Sequence, residues 1–475
     1  MSGGAATGPA GPDTPPGPNT PPGPNTPPGP AAVAVRPRHV LVTGGAGFIG
    51  SHLVRHLLDS DPEVVVTTLD ALTYAGHRST LAWLLDPSAP DHDPAAAARH
   101  RLVHGDVRDA ELVRGLLGCT SNADGSGARN AGSSPSGADC DPSNAGSSAS
   151  DADGDPSGAD GDPSSAVSPS LLHGTTWDVS EKRRGATSGE REDTPHQPED
   201  AGTRANGGRL PTPTDGGWPP VDAVCHLAAE SHVDRSITGP AAFLETNVTG
   251  TGVVLDACRS AGERIQRVLH VSTDEVYGPV PAGQRRGEDA PFSPSSPYAA
   301  SKAAGDHLAH AYHVTYGTPV VTIRPANTYG SHQLPEKLIP RFATTLLEGG
   351  RVPLYGDGQQ VRDWTHVSDT VRAMYLVLTR GEPGTAYNAG AGQERTNLEL
   401  TRALLALLDL DDDRIEHVTD RPGHDRRYAV DSTRIGALGW SPQVPFAEGL
   451  ADTLAWYAEH RGWWHPIAEQ LAAGR

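Results

Sequence analysis

The chain has 475 residues and a formal net charge of −20, from 58 acidic and 38 basic side chains. That balance excludes a non-specific nucleic-acid binder, which needs clustered Lys and Arg, and no apolar run reaches the ~18 residues of a membrane span. The N-terminus lacks a secretory pattern, and the four cysteines (119, 140, 225 and 258) show no metal-ligand or disulfide-framework spacing, so a reduced, cytoplasmic, metal-free protein is expected.

Residues 1–35 repeat Gly-Pro-Asn-Thr-Pro-Pro, a composition that removes backbone donors and favours polyproline II, so a disordered tail is expected. The folded part opens on the apolar strand His39–Thr43. It runs into Gly44-Gly45-Ala46-Gly47-Phe48-Ile49-Gly50 and then a helical pattern. Strand, Gly-rich turn and helix form a dinucleotide-binding turn, because the glycines let the backbone approach a pyrophosphate at the helix N-terminus. Gly44, Gly47, Phe48, Ile49 and Gly50 are therefore cofactor candidates. A second strand ends in Asp70, 20 residues beyond Gly50. An acid there accepts from ribose hydroxyls and repels a 2′-phosphate, which favours NAD over NADP. The next strand ends in Gly105-Asp106-Val107, where Asp106 could contact adenine or cap the following helix.

Residues 119–220 are rich in Ser, Gly, Ala, Asp and Pro and lack apolar periodicity, so a disordered insertion in a surface loop is expected. The core resumes at Val221–Leu227, followed by Ala228 and Ala229, whose small side chains let a cofactor lie against the backbone. A helix from Thr246-Asn247 to Cys258 and a strand Arg267–Val271 follow, the latter delivering Ser272-Thr273-Asp274-Glu275. Alternating strands and helices predict a doubly wound α/β fold with a parallel sheet of Rossmann type over 36–118 and 221–324. Residues 325–475, richer in loops and in Arg, Asn, Gly and Pro, are expected to form mainly a smaller C-terminal α/β lobe that holds the substrate.

Tyr298 and Lys302 stand one helical turn apart on a shared face. An ammonium beside a phenol favours the phenolate, which could take a hydroxyl proton as hydride leaves the same carbon. The neighbouring carboxyl groups of Asp274 and Glu275 add what a plain dehydrogenase lacks. If their environments separate their pKa values, one is a base and the other an acid for expelling water. The alternative for either is a structural role such as a helix cap.

These residues resemble the dTDP-glucose 4,6-dehydratases of the extended short-chain dehydrogenase/reductase family. The resemblance rests on Val42–Gly50, Leu227–Ser236, Ser272–Gly278, Tyr298–Ala304, Pro335–Pro340, Tyr355–Gly358, Val361–Trp364 and Arg421–Asp425, in order. It implies NAD as cofactor, with Thr246 joining the residues that line its site. It further implies that Tyr298 starts oxidation at sugar C4 with Thr273 on the same oxygen, that Glu275 removes the C5 proton, and that Asp274 protonates the C6 hydroxyl. Ser231, Asn327, Glu336, Lys337, Leu338, Tyr355, Arg362, Asn397, Arg421 and His424 would hold the nucleotide diphosphate and its base, with Thr273 on the sugar. A homodimer is implied by analogy. Thr328 departs from the family's second Asn, and Arg324–Ala326 and Ser331–Leu334 also drift. The alternatives are a dehydratase of another nucleotide sugar such as a UDP-hexose, an epimerase or decarboxylase of the same family, and a non-catalytic NAD-binding regulator.

Overall fold

The computed structural model describes residues 34–119 and 217–473. The expected disordered tail and all but the ends of the expected insertion lie outside the described residues. The strands are β1 His39–Thr43, β2 Val65–Asp70, β3 His100–His104, β4 Ala223–His226, β5 Arg267–Val271 and β6 Val320–Pro325. They form one sheet with β10, Ala386–Ala389, in the order β10-β6-β5-β4-β1-β2-β3. Every pairing in it is parallel.

Apart from the edge strand β3, which is partly exposed, and the opposite edge strand β10, the strands are buried along their whole length, as in parallel sheets covered on both faces. Alternation along β1 divides its side chains. Val40 and Val42 join one core, with Leu53, Val54 and Leu57 of the helix Phe48–Ser60 and Met374 and Val377 of the helix Val367–Arg380. Leu41 joins the other, with Val113 of the helix Ala110–Leu116, Val254 and Leu255 of the helix Thr251–Ala261, and Ala309 of the helix Pro297–Tyr316.

Chain order runs outward from β1 to β3, then returns to β4 on the other side of β1. That reversal opens a crevice at the carboxyl ends of β1 and β4, where ligands of such sheets bind.

A second core holds Tyr329, Phe342, Trp364, Leu400, Leu450 and Trp464. Around it lie β7 Asn327–Tyr329, β9 Val361–His366 and β11 Glu394–Thr396 in a three-stranded sheet, and β8 Val352–Tyr355 paired with β12 Ile415–Val418. Residue 325 does not divide the two layers cleanly. Both β10 and the helix Val367–Arg380 come from beyond it and complete the Rossmann sheet. A strand as short as Ala-Tyr-Asn-Ala carries no apolar run by which sequence could place it.

Candidate active site

A cavity of about 400 Å³ lies at the carboxyl ends of the central strands, lined by Gly44, Gly47–Gly50, Asp70, Asp106, Val107, Leu227–Ala229, Thr246, Thr273–Glu275, Tyr298 and Lys302. Every cofactor and catalytic candidate from the sequence thus meets one space, together with Ser231, Asn327 and Lys337.

The Gly-rich turn is built for close approach. Gly44 has φ +73°, and a Cβ there would meet the Ala228 backbone N at 2.8 Å. A Cβ on Gly50 would collide with the Gly44 carbonyl oxygen. The helix Phe48–Ser60 begins after Gly47 with no side-chain cap, so its first N–H groups remain available to an anion. Asp70 is buried; its Oδ2 accepts from Ala46 N at 2.9 Å and its Oδ1 from Leu72 N at 2.8 Å. Burial raises its pKa above the usual value despite these two donors. An open helix N-terminus, a backbone cradle and a ribose-seeking acid fit a dinucleotide lacking a 2′-phosphate. Asp106 does not cap the following helix. Asp109 does, accepting from Glu111 N at 3.1 Å and Leu112 N at 3.0 Å, while Asp106 pairs with Arg108 at 2.7 Å.

The expected helix at Thr246 begins as a π-helical turn, Glu245–Gly250. The turn carries Asn247, whose amide ties the segment after β4 to the helix Pro297–Tyr316. Its Oδ1 accepts from Glu230 N at 2.8 Å, and its Nδ2 donates to Ser301 Oγ at 2.9 Å.

Thr273 ends the extended segment and caps the short turn Asp274–Tyr277, accepting from Glu275 N at 3.3 Å and donating to Asp274 Oδ1 at 3.3 Å. It lies close enough to Tyr298 to act on its phenol. Asp274 is buried and pushed up to about 8 by burial, then by Glu275 and Asp363, against the opposing pull of Arg362. Burial raises Glu275 too, but Arg362, Arg421 and Lys337 pull it back. The two acids therefore stand in different fields, as an acid–base pair requires.

The expected lowering of the Tyr298 phenol meets a stronger opposing effect: burial and then the Glu275 charge raise it. Lys302 Nζ donates to the Val271 carbonyl at 2.6 Å, and burial lowers Lys302 to about 8.

Of the expected substrate ligands, Lys337 donates to Ser231 O at 2.8 Å, and Asn327 carries a buried Oδ1 with no partner among the described residues. Arg362 is buried over the Tyr428 ring, 4.3 Å from its centroid, and donates to Asp425 O at 3.0 Å. Tyr355 and Arg421 meet on Asp234, at 3.3 Å and 2.5 Å. His424 Nδ1 lies 2.6 Å from Asp420 Oδ1. Glu336 is buried, with its carboxylate 3.9 Å from His232 Nε2. Leu338 packs on the second core, and Asn397 N donates to Gln360 O at 2.9 Å. Glu336, Leu338, Tyr355, Arg362, Asn397, Arg421 and His424 stand outside the cavity wall. Asp234 was not singled out from sequence, although it lies within the run Leu227–Ser236; its partners are far away in the chain.

Comparison with known proteins follows the same lines. The chain matches the NAD dependent epimerase/dehydratase family over residues 40–124 and the GDP-mannose 4,6 dehydratase family over 220–453. It is 40% identical to a dTDP-glucose 4,6-dehydratase of Streptomyces griseus, over 90% of this chain and 97% of the relative. It is 36% identical to dTDP-glucose 4,6-dehydratase 1 of Escherichia coli K12, over 89% of this chain and 94% of the relative. Among solved structures, DesIV, a dTDP-glucose 4,6-dehydratase from Streptomyces venezuelae with NAD and TYD bound, is similar at a TM-score of 0.65 and 40% identity. That match covers 90% of this chain and 99% of DesIV. With the dinucleotide cradle, the Tyr298–Lys302 helix and the paired acids in one cavity, this chain belongs to the dTDP-glucose 4,6-dehydratase family of extended short-chain dehydrogenases/reductases.

Proposed function

We propose that the protein catalyses the NAD-dependent dehydration of dTDP-glucose to dTDP-4-keto-6-deoxyglucose. The observation that carries this reading is the confluence of Thr273, Asp274, Glu275 and Tyr298 in the cavity that also holds the Gly-rich turn and Asp70.

Gly44, Gly47–Gly50, Asp70, Asp106, Val107, Leu227–Ala229, Thr246, Tyr298 and Lys302 would hold NAD. When bound, NAD supplies a hydride acceptor and donor and a positively charged ring. Tyr298 takes the proton of the C4 hydroxyl, and Thr273, beside that phenol in the same cavity, steadies the same oxygen. The phenol is neutral at rest, and a cation entering the cavity draws its pKa back down. Once C4 is a ketone, its neighbour C5 is acidified, and Glu275 removes the C5 proton. Asp274, held protonated at neutral pH, gives its proton to the C6 hydroxyl, which leaves as water. The C5–C6 double bond left behind then takes back, at C6, the hydride lost from C4 and, at C5, the proton held by Glu275, giving the 4-keto-6-deoxy sugar. Arg362, Arg421 and Lys337 surround Glu275 and suit a diphosphate, since a guanidinium matches phosphate bidentately.

Incubation of the purified protein with dTDP-glucose should yield a product with the alkaline absorbance of a 4-keto-6-deoxy sugar. Absence of product from protein that carries NAD would overturn the reading. Thr328, which hydrogen-bonds Thr370 Oγ1 at 3.0 Å, replaces an amide expected near cofactor and sugar, so UDP-linked hexoses belong in the same panel. Preferential turnover of one of them would reassign the substrate and keep the reaction.

A homodimer is part of this reading. Ile237, Leu244 and Val314 are exposed on helices packed over one face of the sheet, where a second copy would cover them. Sedimentation of the parent beside Leu244→Asp tests this: a dimer that becomes monomeric is expected, and a parent monomer would refute it.

A further inference from the structure

We infer that Asp234 is a positioning residue that turns the Arg421 guanidinium toward the substrate's diphosphate. This rests on the reading above, because it concerns how the same site grips a nucleotide sugar.

Asp234 lies on the short helix Val233–Thr238, just beyond β4 of the Rossmann sheet. Its two oxygens are divided between two segments of the second layer. Oδ1 accepts from Arg421 Nη1 at 2.5 Å, and Oδ2 accepts from the Tyr355 hydroxyl at 3.3 Å. The side chains are part-exposed, 37% for Asp234 and 23% for Arg421, so the pair is no buried structural bridge. An exposed ion pair of this kind contributes little to stability, and another reason for its geometry is needed.

The guanidinium supplies one. Its planar fork offers separate bidentate edges, and a carboxylate on Nη1 leaves the Nε side open. Nε of Arg421 is buried and has no partner among the described residues. Arg421 shares its surroundings with the cations Lys337 and Arg362, on both of which its field acts, and with the carboxylates Glu275 and Asp234. A diphosphate would take the open Nε edge, with Asp234 holding the fork from behind and Tyr355 holding Asp234.

Asp234 has a second, opposite effect. Its negative charge repels phosphate, so its removal could also strengthen binding. The geometry favours orientation as the larger effect, because a planar fork must be aligned to make two bonds while the repulsion is screened by solvent.

The test measures dTDP and thymidine affinity by calorimetry on the full-length, NAD-loaded protein and its Asp234→Asn variant, together with kcat and KM for dTDP-glucose. Expected is a loss of about tenfold in dTDP affinity, the size of one charge-assisted hydrogen bond. KM should rise in step, thymidine affinity should hold, and NAD content should be unchanged. Arg421→Lys removes the fork; in that background Asp234→Asn should have no further effect on dTDP affinity. Unchanged or tighter dTDP binding by Asp234→Asn, an equal loss for thymidine, or additive losses in the double variant would each overturn the proposal. Should Asp234→Asn fail to fold, the same affinities measured on Asp234→Ser decide by the same criteria. A parent that binds dTDP but forms no product from dTDP-glucose refutes the dehydratase reading alone; a parent that binds no nucleoside diphosphate refutes both.

Discussion

Asp274 and Glu275 are adjacent in the chain yet stand in different fields: burial and then Glu275 and Asp363 push Asp274 up against Arg362, whereas Arg362, Arg421 and Lys337 together restrain a Glu275 that burial raises. The elimination-competent form has Asp274 protonated and Glu275 ionised. Activity should therefore fall above about pH 8 as Asp274 loses its proton. On the acid side it should fall at a pH above the ordinary glutamate value of 4.5, because burial raises Glu275. A pH–rate profile at saturating dTDP-glucose checks both limbs; an alkaline limb absent up to pH 10 would remove Asp274 from the acid role.

Glu275→Gln should stop elimination without stopping oxidation at C4. The expected signature is accumulation of the reduced cofactor's near-ultraviolet absorbance on mixing with dTDP-glucose. Turnover should drop by about 10²–10⁴-fold, the usual worth of a positioned base. In deuterated water, the C5 position should acquire no label.

Asp274→Asn should slow elimination and stabilise the fold. The unfolded carboxyl ionises near 3.8 and the folded one only near 8, so between these values the folded state holds the extra proton. Stability is thus lost as pH rises through that window, at about 1.4 kcal/mol per pH unit. Asn removes the penalty, and the gain in Tm should be larger at pH 9 than at pH 4. An equal gain at both would mean that Asp274 is not held protonated.

Gly50→Ala should release the cofactor while leaving most of the core intact. The added Cβ meets the Gly44 carbonyl, which is backbone and cannot swing aside. Protein purified by gel filtration should retain far less NAD than the parent, measured by ultraviolet absorbance of the acid extract.

Much of this site could be read from the chain because its parts are local. β1, the glycine turn and the following helix occupy consecutive residues, and the Tyr298–Lys302 spacing is one turn of a single helix. What escaped is long-range or depends on burial. The Asp234–Arg421 contact joins residues 187 apart, and no periodicity marks it. The direction of the Lys302 ammonium depended on finding the Val271 carbonyl within reach. A π-helical turn at Glu245–Gly250 leaves the helical pattern intact in sequence, so only the structure shows it.

The chain has three lysines, Lys182, Lys302 and Lys337. The two among the described residues both line the cavity, so the described surface outside it carries guanidinium rather than ammonium groups as its fixed cations. Near pH 8 about half of Lys302 is the free amine, the form that acylating reagents attack. Amine-directed labelling, ordinarily a survey of a protein's exterior, becomes a footprint of the cavity when it is read at Lys302 and Lys337 and set apart from Lys182 and the terminal amine by peptide mapping. Ligand occupancy can be followed by the mass added at two positions.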